Sequence, residues 1–248
     1  METETSLEAF NSSPKPSSRH TTYFQVYDQL LDPYRGKNIT FVEVGVQNGG
    51  SLHMWRQFFG PHARIIGIDL NPDAASLRED GFEIFVGSQS NPTFWKNFLA
   101  EVGQIDVLLD DGGHNYLQQL VTVECTINSI SDGGLLLVED THTSYLEGYG
   151  TSSLSFISYC KLWVDRINFR FSQLEGGSNE GARVIWSIEF FESIVAFKVN
   201  RKAAETKSAP VWNFRPSSGL QDFHHHDLAV MEENKEALAS IVQKAFTL

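Results

Sequence analysis

"ITFVEVGVQNGGSLHMWRQFF", residues 39–59, changes its period in the middle. Its first eight residues are mostly apolar and rich in β-branched types, the pattern of a strand covered on both faces. Its last nine, "SLHMWRQFF", carry apolar side chains at helical spacing, with Ser51 expected as the cap. Between them, Gly45, Gly49 and Gly50 let the backbone turn sharply and approach a ligand. A strand, a glycine-rich turn and a helix in that order open a βαβ unit.

The same alternation continues outward. "RIIGIDL" (64–70), "FEIFVGS" (82–88), "IDVLLDD" (105–111) and "GGLLLVED" (133–140) read as further strands. "YFQVYDQLL" (23–31) sets Tyr23, Val26, Tyr27, Leu30 and Leu31 on one helical face, and Pro33 and Gly36 stop it. Asn91 and Pro92 open a helix after the third strand, and Leu120, Val123, Ile127 and Ile130 mark the next. "LSFISYCKLWVDRI" (154–167) is a last helix before "ARVIWSIEFFESIVAFKVN" (182–200), two long strands joined by a short turn. Apolar strands alternating with helices imply an α/β fold with a mostly parallel sheet covered on both faces. The terminal pair implies an antiparallel edge.

The chain's 248 residues suit one domain with an appendage, and 41% hydrophobic content supplies a core. A net charge of −12 argues against nucleic acid or an anionic membrane as partner. No apolar run approaches the roughly 20 residues of a membrane span, and "METETSLEAF" has no secretion pattern, so the expected location is the cytoplasm. Residues 1–19, ending "NSSPKPSSR", are expected to be a flexible arm. Residues 20–200 are expected to form the domain. Residues 201–248 are expected to be an extension whose last helix, capped by Asp227, packs an apolar stripe of Leu238, Ile241, Val242 and Phe246 on the same domain or on a second subunit. His224, His225 and His226 read as solvated, because adjacent histidines do not converge on one centre. Cys125 and Cys160 read as buried small residues.

In such sheets ligands bind at the carboxyl ends of the strands, where the strand order reverses. Asp69, twenty-four residues after Gly45, can accept both hydroxyls of a ribose, and Ser88 and Gln89 could contact an adenine edge. Gln47 stands where a dinucleotide fingerprint needs glycine, which weakens a nicotinamide reading. Together these strand ends suggest an adenosine ligand.

"FVEVGVQNGGSLHMW", "IIGIDLNP", "GSQSN", "LLDDGGHN" and "LLLVEDTHTSY" resemble the class I S-adenosylmethionine-dependent methyltransferases. Within them the likeness is to macrolide sugar O-methyltransferases, rhamnosyl methyltransferases and cephalosporin hydroxylase-like proteins, over roughly residues 20–200. The resemblance implies a Rossmann-like doubly wound sheet of seven strands, with the last antiparallel, and a metal-dependent transfer of methyl to a sugar hydroxyl. It implies Glu43, Gly45, Asp69, Ser88 and Gln89 as cofactor contacts, Asp111, Glu139 and Asp140 as metal ligands, and His114 as base. Asp110 is either a further cofactor contact or the holder of a backbone amide. A homo-oligomer is also in keeping with the resemblance.

The chemistry of these residue types agrees. Asp111 ends the fourth strand, and Glu139 and Asp140 end the fifth; on neighbouring strands the three carboxylates converge. Crowded carboxylates repel and their pKa values rise, a cost a divalent cation removes. Oxygen ligands select a hard ion, Mg²⁺ first, with Mn²⁺ or Ca²⁺ as substitutes. The metal would lower the pKa of an aliphatic hydroxyl, and His114 would take its proton. His142, Tyr145 and Tyr149, in the polar loop that follows, are expected to line the acceptor pocket. His20, Tyr23 and Tyr27 could fold over the cofactor, with core packing the favoured reading for the two tyrosines. Three readings stand at this point: a Mg²⁺-dependent O-methyltransferase acting on a sugar or glycosylated small molecule, a hydroxylase-like oxygenase, and a non-catalytic S-adenosylmethionine-binding partner protein.

Overall fold

A computed structural model describes residues 4–171, 174, 183–213 and 227–247. Residues up to Ser208 form one unit and residues from Ala209 a second. In the first unit, β1 (Thr40–Val44), β2 (Arg64–Asp69), β3 (Glu83–Val86), β4 (Ile105–Asp110), β5 (Ile130–Val138), β6 (Ile185–Phe191) and β7 (Ile194–Val199) make a single sheet. Their order is β3-β2-β1-β4-β5-β7-β6. β1 to β5 are parallel, and β7 is antiparallel to both neighbours, as expected of the last strand. It is inserted between β5 and β6 rather than lying at the margin.

Alternation along the strands builds two cores. Phe41, Val107, Leu109, Leu135 and Leu137 face α1 (Ser6–Asn11), α2 (Tyr23–Leu31) and α3 (Gly50–Phe59), where Tyr27, Trp55 and Phe59 are fully buried. Val42, Val44, Leu108, Leu136 and Val138 face α4 (Pro92–Val102), α5 (Tyr116–Thr126) and α6 (Phe156–Asn168), which bring Trp95, Phe98, Val123 and Phe156. β2 and β3 are joined by a 3₁₀ stretch, Pro72–Asp80. The strand order reverses between β1 and β4, so their carboxyl ends flank the crevice where such sheets take ligands.

Four expectations need correction. Residues 4–19 are not a loose arm: Thr5 and Glu8 form a capping box for α1, Ala9 is buried, and the Ser6 hydroxyl donates to the Phe24 carbonyl at 3.1 Å. A six-residue helix is too short to be read from periodicity, and packing on α2 and α3 stabilises it. The cap of α3 is Gly49, in the left-handed region at φ +83°, and Ser51 lies inside the helix. α5 ends at Thr126; Ile127 sits in a 3₁₀ turn and Ile130 opens β5, paired with Ile105. The domain runs past residue 200 through α7 (Arg201–Glu205), where the Arg201 guanidinium donates to Asp132 and to the Asn128 and Ile130 carbonyls.

Among its described residues the second unit has two helices where one was expected: α8 (Asp227–Glu233), which Asp227 opens, and α9 (Lys235–Phe246), with Asn234 at its N-cap position. Leu238, Ile241, Val242 and Phe246 are exposed. The reading of His224, His225 and His226 lies outside the described residues.

Gly45 is where the first turn tolerates no side chain. Its φ is +85°, and a Cβ there would stand 2.1 Å from the Asp111 carbonyl oxygen. Gly81 has a similar φ, +86°, with open space around it. Gly81→Ala should therefore cost about 1–2 kcal/mol from backbone strain alone. Gly45→Ala should cost more than about 3 kcal/mol, because the clash adds to the strain. Urea unfolding of the two variants measures the difference; equal midpoints would contradict this contact.

Candidate active site

Strand register decides which acids meet. Glu43 pairs with Leu109 across β1 and β4, and Leu109 pairs with Leu137 across β4 and β5. Two residues further along, Asp111 and Glu139 have the same parity as those leucines. Side chains two apart on a strand share a face, so Glu43, Asp111 and Glu139 all project to the α1–α2–α3 side. Asp110 has the opposite parity and projects to the α4–α5 side. The adjacent pair "DD" thus divides between two layers.

Arg19 enters the first layer. Its side chain is 6% exposed, with nitrogens 2.5 Å from Glu43 Oε1, 2.6 Å from Asp111 Oδ2 and 3.7 Å from Glu139 Oε2. The segment before it lies across the glycine turn, where the Ser13 hydroxyl donates to the Gly50 carbonyl at 2.8 Å and Lys15 pairs with Asp80. Ser51 donates to Glu43 Oε2 at 2.7 Å, and the buried Tyr27 hydroxyl donates to Glu139 Oε1. Burial works against the Arg19 charge, but Glu139, Tyr27, Asp111 and Glu43 outweigh it and hold its pKa well above the usual value. Burial raises the carboxyls of Glu43 and Asp111, and it raises that of Glu139 to about 7. Arg19, read as part of a loose arm, is the residue that sequence reasoning missed. Its neighbours in "PKPSSRH" carry no local signal; three carboxylates on one face did call for a cation.

Opposite Arg19, His114 Nε2 is 3.3 Å from Asp140 Oδ2, and Tyr23 donates to Asp140 Oδ1 at 2.5 Å. His114 and Asp140 both occupy the left-handed region, at φ +56° and +54°, as does Gln47 at +43°. All three line one cavity with Arg19, Asp111 and Glu139. Strained residues held together by surrounding structure are a mark of functional sites. Asp111, His114 and Asp140 each offer a ligand atom within 4.8 Å of the others. Glu139 Oε2 is buried with no hydrogen-bond donor. That oxygen and this donor set fit a hard divalent cation.

A second cavity lies on the other side of the Gly45–Gln47 turn. Asp69, Ser88 and Gln89 line it, and Gly45 and Asp111 border both cavities. Asp69 Oδ2 accepts from the Val46 and Gln47 amides at 3.0 and 2.9 Å, which fixes the turn. Gln89 is 6% exposed; its amide group donates to both Asp110 oxygens and accepts from the Gly113 amide at 2.8 Å. Asp110 is buried and also accepts from the Gly112 amide at 3.1 Å. Of the two roles open to Asp110, the geometry gives the backbone-holding one. It is absent from the lining of both cavities, because its parity turns it away. Of the loop residues expected around an acceptor, His142 approaches Asp140 at 3.9 Å, whereas Tyr145 is exposed and Tyr149 lines a separate small cleft. Tyr23 and Tyr27 are core residues whose hydroxyls also serve the acids.

Residues 42–141 match the family described as "Methyltransferase domain". That stretch, from β1 to the turn after β5, makes the chain similar to methyltransferase domains. Relatives of this domain include the 8-demethyl-8-alpha-L-rhamnosyl tetracenomycin-C 2'-O-methyltransferase of Streptomyces olivaceus, 30% identical over 59% of this chain and 41% of that protein. The demethylmacrocin O-methyltransferase of Streptomyces fradiae is 28% identical over 68% of this chain and 45% of its own length. The chain thus spans less than half the length of these two relatives. The MycE methyltransferase of the mycinamycin pathway, solved with Mg, SAH and mycinamycin VI, shares the methyltransferase fold at TM-score 0.73 and 23% identity, over 86% of this chain and 57% of that one. Among the described residues no helix is long and apolar enough to cross a membrane.

Two measurements probe the charge balance. The Glu139 carboxyl titrates near 4.5 when unfolded and about 7 when folded, so the folded state favours its protonated form. Its stabilising contribution is complete below about pH 4.5 and is lost as pH rises through about 7, an effect on the order of 3 kcal/mol. Thermal unfolding of the metal-free protein should show Tm falling over that interval, and the fall should shrink in Glu139→Gln; an unchanged fall would contradict the assignment. Arg19→Ala leaves three carboxylates without their shared cation. At pH 7.5 and without divalent ions it should lower Tm by roughly 10 °C, with part of the loss recovered on adding Mg²⁺.

Proposed function

We propose that the protein is an S-adenosylmethionine-dependent O-methyltransferase that uses Mg²⁺ and methylates a hydroxyl of a sugar or glycosylated small molecule. The observation that carries this reading is the grouping of Asp111, His114 and Asp140 in one cavity that Glu139, with an oxygen that accepts no hydrogen bond, also lines, beside a second cavity that ends in Asp69. The activities of the relatives, O-methylation of a rhamnosyl tetracenomycin and of demethylmacrocin, support the acceptor class. The Mg and SAH bound to MycE support the cofactors.

When bound, S-adenosylmethionine supplies an activated methyl group and the cation supplies Lewis-acid polarisation of the acceptor hydroxyl. The chain does the rest. Asp69, Ser88 and Gln89 border the nucleoside end, with Asp69 also holding the glycine turn. Gly45 and Gln47 line both cavities, so the backbone here is the passage from cofactor to acceptor. Asp111, Asp140 and Glu139 would hold the cation. His114 takes the proton of the hydroxyl and later returns it to solvent, and the Asp140 carboxylate at 3.3 Å stabilises the imidazolium formed. Tyr23 fixes Asp140 from the other side.

The experiment pairs binding with turnover. In calorimetry, His114→Ala should keep wild-type affinity for S-adenosylmethionine while methyl transfer to a glycosylated macrolide acceptor falls by about 10²-fold or more. Asp111→Asn should weaken Mg²⁺ binding at least tenfold. Wild-type turnover in the first variant would remove the base, and unchanged Mg²⁺ affinity in the second would remove the ligand set.

A further inference from the structure

Asp140 has two oxygens, and only one of them faces the cavity's base. Oδ2 is turned to His114, whereas Oδ1 is approached by His20 Nε2 at 3.8 Å and by His142 Nδ1 at 3.9 Å. One donor atom from each of His20, Asp140 and His142 lies within 4.8 Å of the others. The two imidazoles stand nearly perpendicular, at 86° with centroids 5.7 Å apart, so they do not stack on each other. Neither nitrogen is within hydrogen-bond range of Oδ1. His142 Nδ1 is shielded from solvent and has no hydrogen-bond partner, although its ring edge is exposed. A shielded nitrogen aimed at a carboxylate from beyond hydrogen-bond range fits an intervening ion.

We propose that His20, His142 and the outer oxygen of Asp140 form a second metal site, for divalent ions that prefer imidazole, such as Zn²⁺. Two imidazoles and one carboxylate suit Zn²⁺, Co²⁺ or Ni²⁺, whereas Mg²⁺ demands oxygen ligands. A tetrahedral ion roughly 2.0–2.1 Å from each donor sets donors about 3.3 Å apart. The two spacings from imidazole to carboxylate close to that by about half an ångström of side-chain rotation, which the exposed His20 ring permits. Tyr23, donating to the same Oδ1, orients the carboxylate as outer partners of metal ligands do.

The consequence is mechanical. His20 belongs to residues 16–20, which line the cavity, and His142 to the 3₁₀ turn Thr141–Tyr145 that follows β5. An ion between them fastens the N-terminal segment to that turn and so holds Arg19 in place among the acids. The site uses none of Asp111, His114 or Glu139 and shares only Asp140 with the proposed methyl-transfer site.

The test uses the full chain with His224, His225 and His226 changed to Ala, which removes imidazoles that would take up Zn²⁺ singly and blur the stoichiometry. Zn²⁺ is titrated by calorimetry in excess Mg²⁺, and Co²⁺ is followed by visible absorption. The expected result is one Zn²⁺ per chain and the intense spectrum of four-coordinate Co²⁺. His20→Ala and His142→Ala should each weaken Zn²⁺ binding at least tenfold, and His114→Ala should leave it unchanged. His20 is exposed, so its replacement leaves the fold intact and keeps the test valid if His142→Ala unfolds; circular dichroism checks both. Absence of saturable Zn²⁺ binding, binding that survives both substitutions, or binding lost in His114→Ala would overturn the proposal.

Discussion

Parallel strands in fixed register force Glu43, Asp111 and Glu139 to the same side of the sheet, at its carboxyl edge. No rotamer sends one of them to the other face, because side-chain direction alternates strictly along a strand. Glu43 and Glu139 are fully buried, and each ion taken out of water costs several kcal/mol unless it is paired. The surroundings answer that cost: Arg19 reaches all three acids, Tyr27 donates to Glu139 and Ser51 to Glu43. The N-terminal segment is ordered by the same requirement. Its composition alone would leave it loose, but its guanidinium has one place where burial is favourable.

The backbone around the acids is equally constrained. Gly45 lies against the Asp111 carbonyl, and Gly112 against Gln89, whose amide group spans from Asp110 to the Gly113 amide. The first turn and the loop after β4 are therefore one packed object, and Asp110 and Asp111 serve it differently. Asp110 holds the loop from the α4–α5 side, while Asp111 faces the cavity. His114 and Asp140 carry positive φ at the ends of two neighbouring strand-to-helix connections, and that conformation sets their side chains 3.3 Å apart. The strain is tolerated because Thr143 donates to the carbonyls of both His114 and Asp140.

The sheet was legible in the sequence because its strands are apolar, short and punctuated by glycine or acid. Their parity was legible too: "IDVLLDD" and "GGLLLVED" place Asp111 and Glu139 two residues beyond core leucines. What local pattern could not supply was anything fixed by distant partners. Arg19 looks like solvent-facing chain until the acids it neutralises are seen. Ser51 looks like a cap because it precedes an apolar helix, yet Gly49 turns the chain first and frees Ser51 to serve Glu43. The helix that seemed to reach Ile130 stops at Thr126, because Ile130 is claimed by its pairing with Ile105 in the sheet.

Charge counting ties the geometry to the proposed chemistry. Around the first cavity stand four carboxylates, Glu43, Asp111, Glu139 and Asp140, and one guanidinium. Fully ionised, they carry a net charge of minus three, which a desolvated cavity resists by protonating Glu139 near neutral pH. A divalent cation reduces the sum to minus one. S-adenosylmethionine, with its sulfonium, ammonium and carboxylate, adds a net plus one and brings it to zero. Without Arg19 the same ligands would leave one negative charge uncompensated in the interior. The guanidinium thus offsets, within the first cavity, the charge that a divalent cation and a sulfonium ligand together leave over.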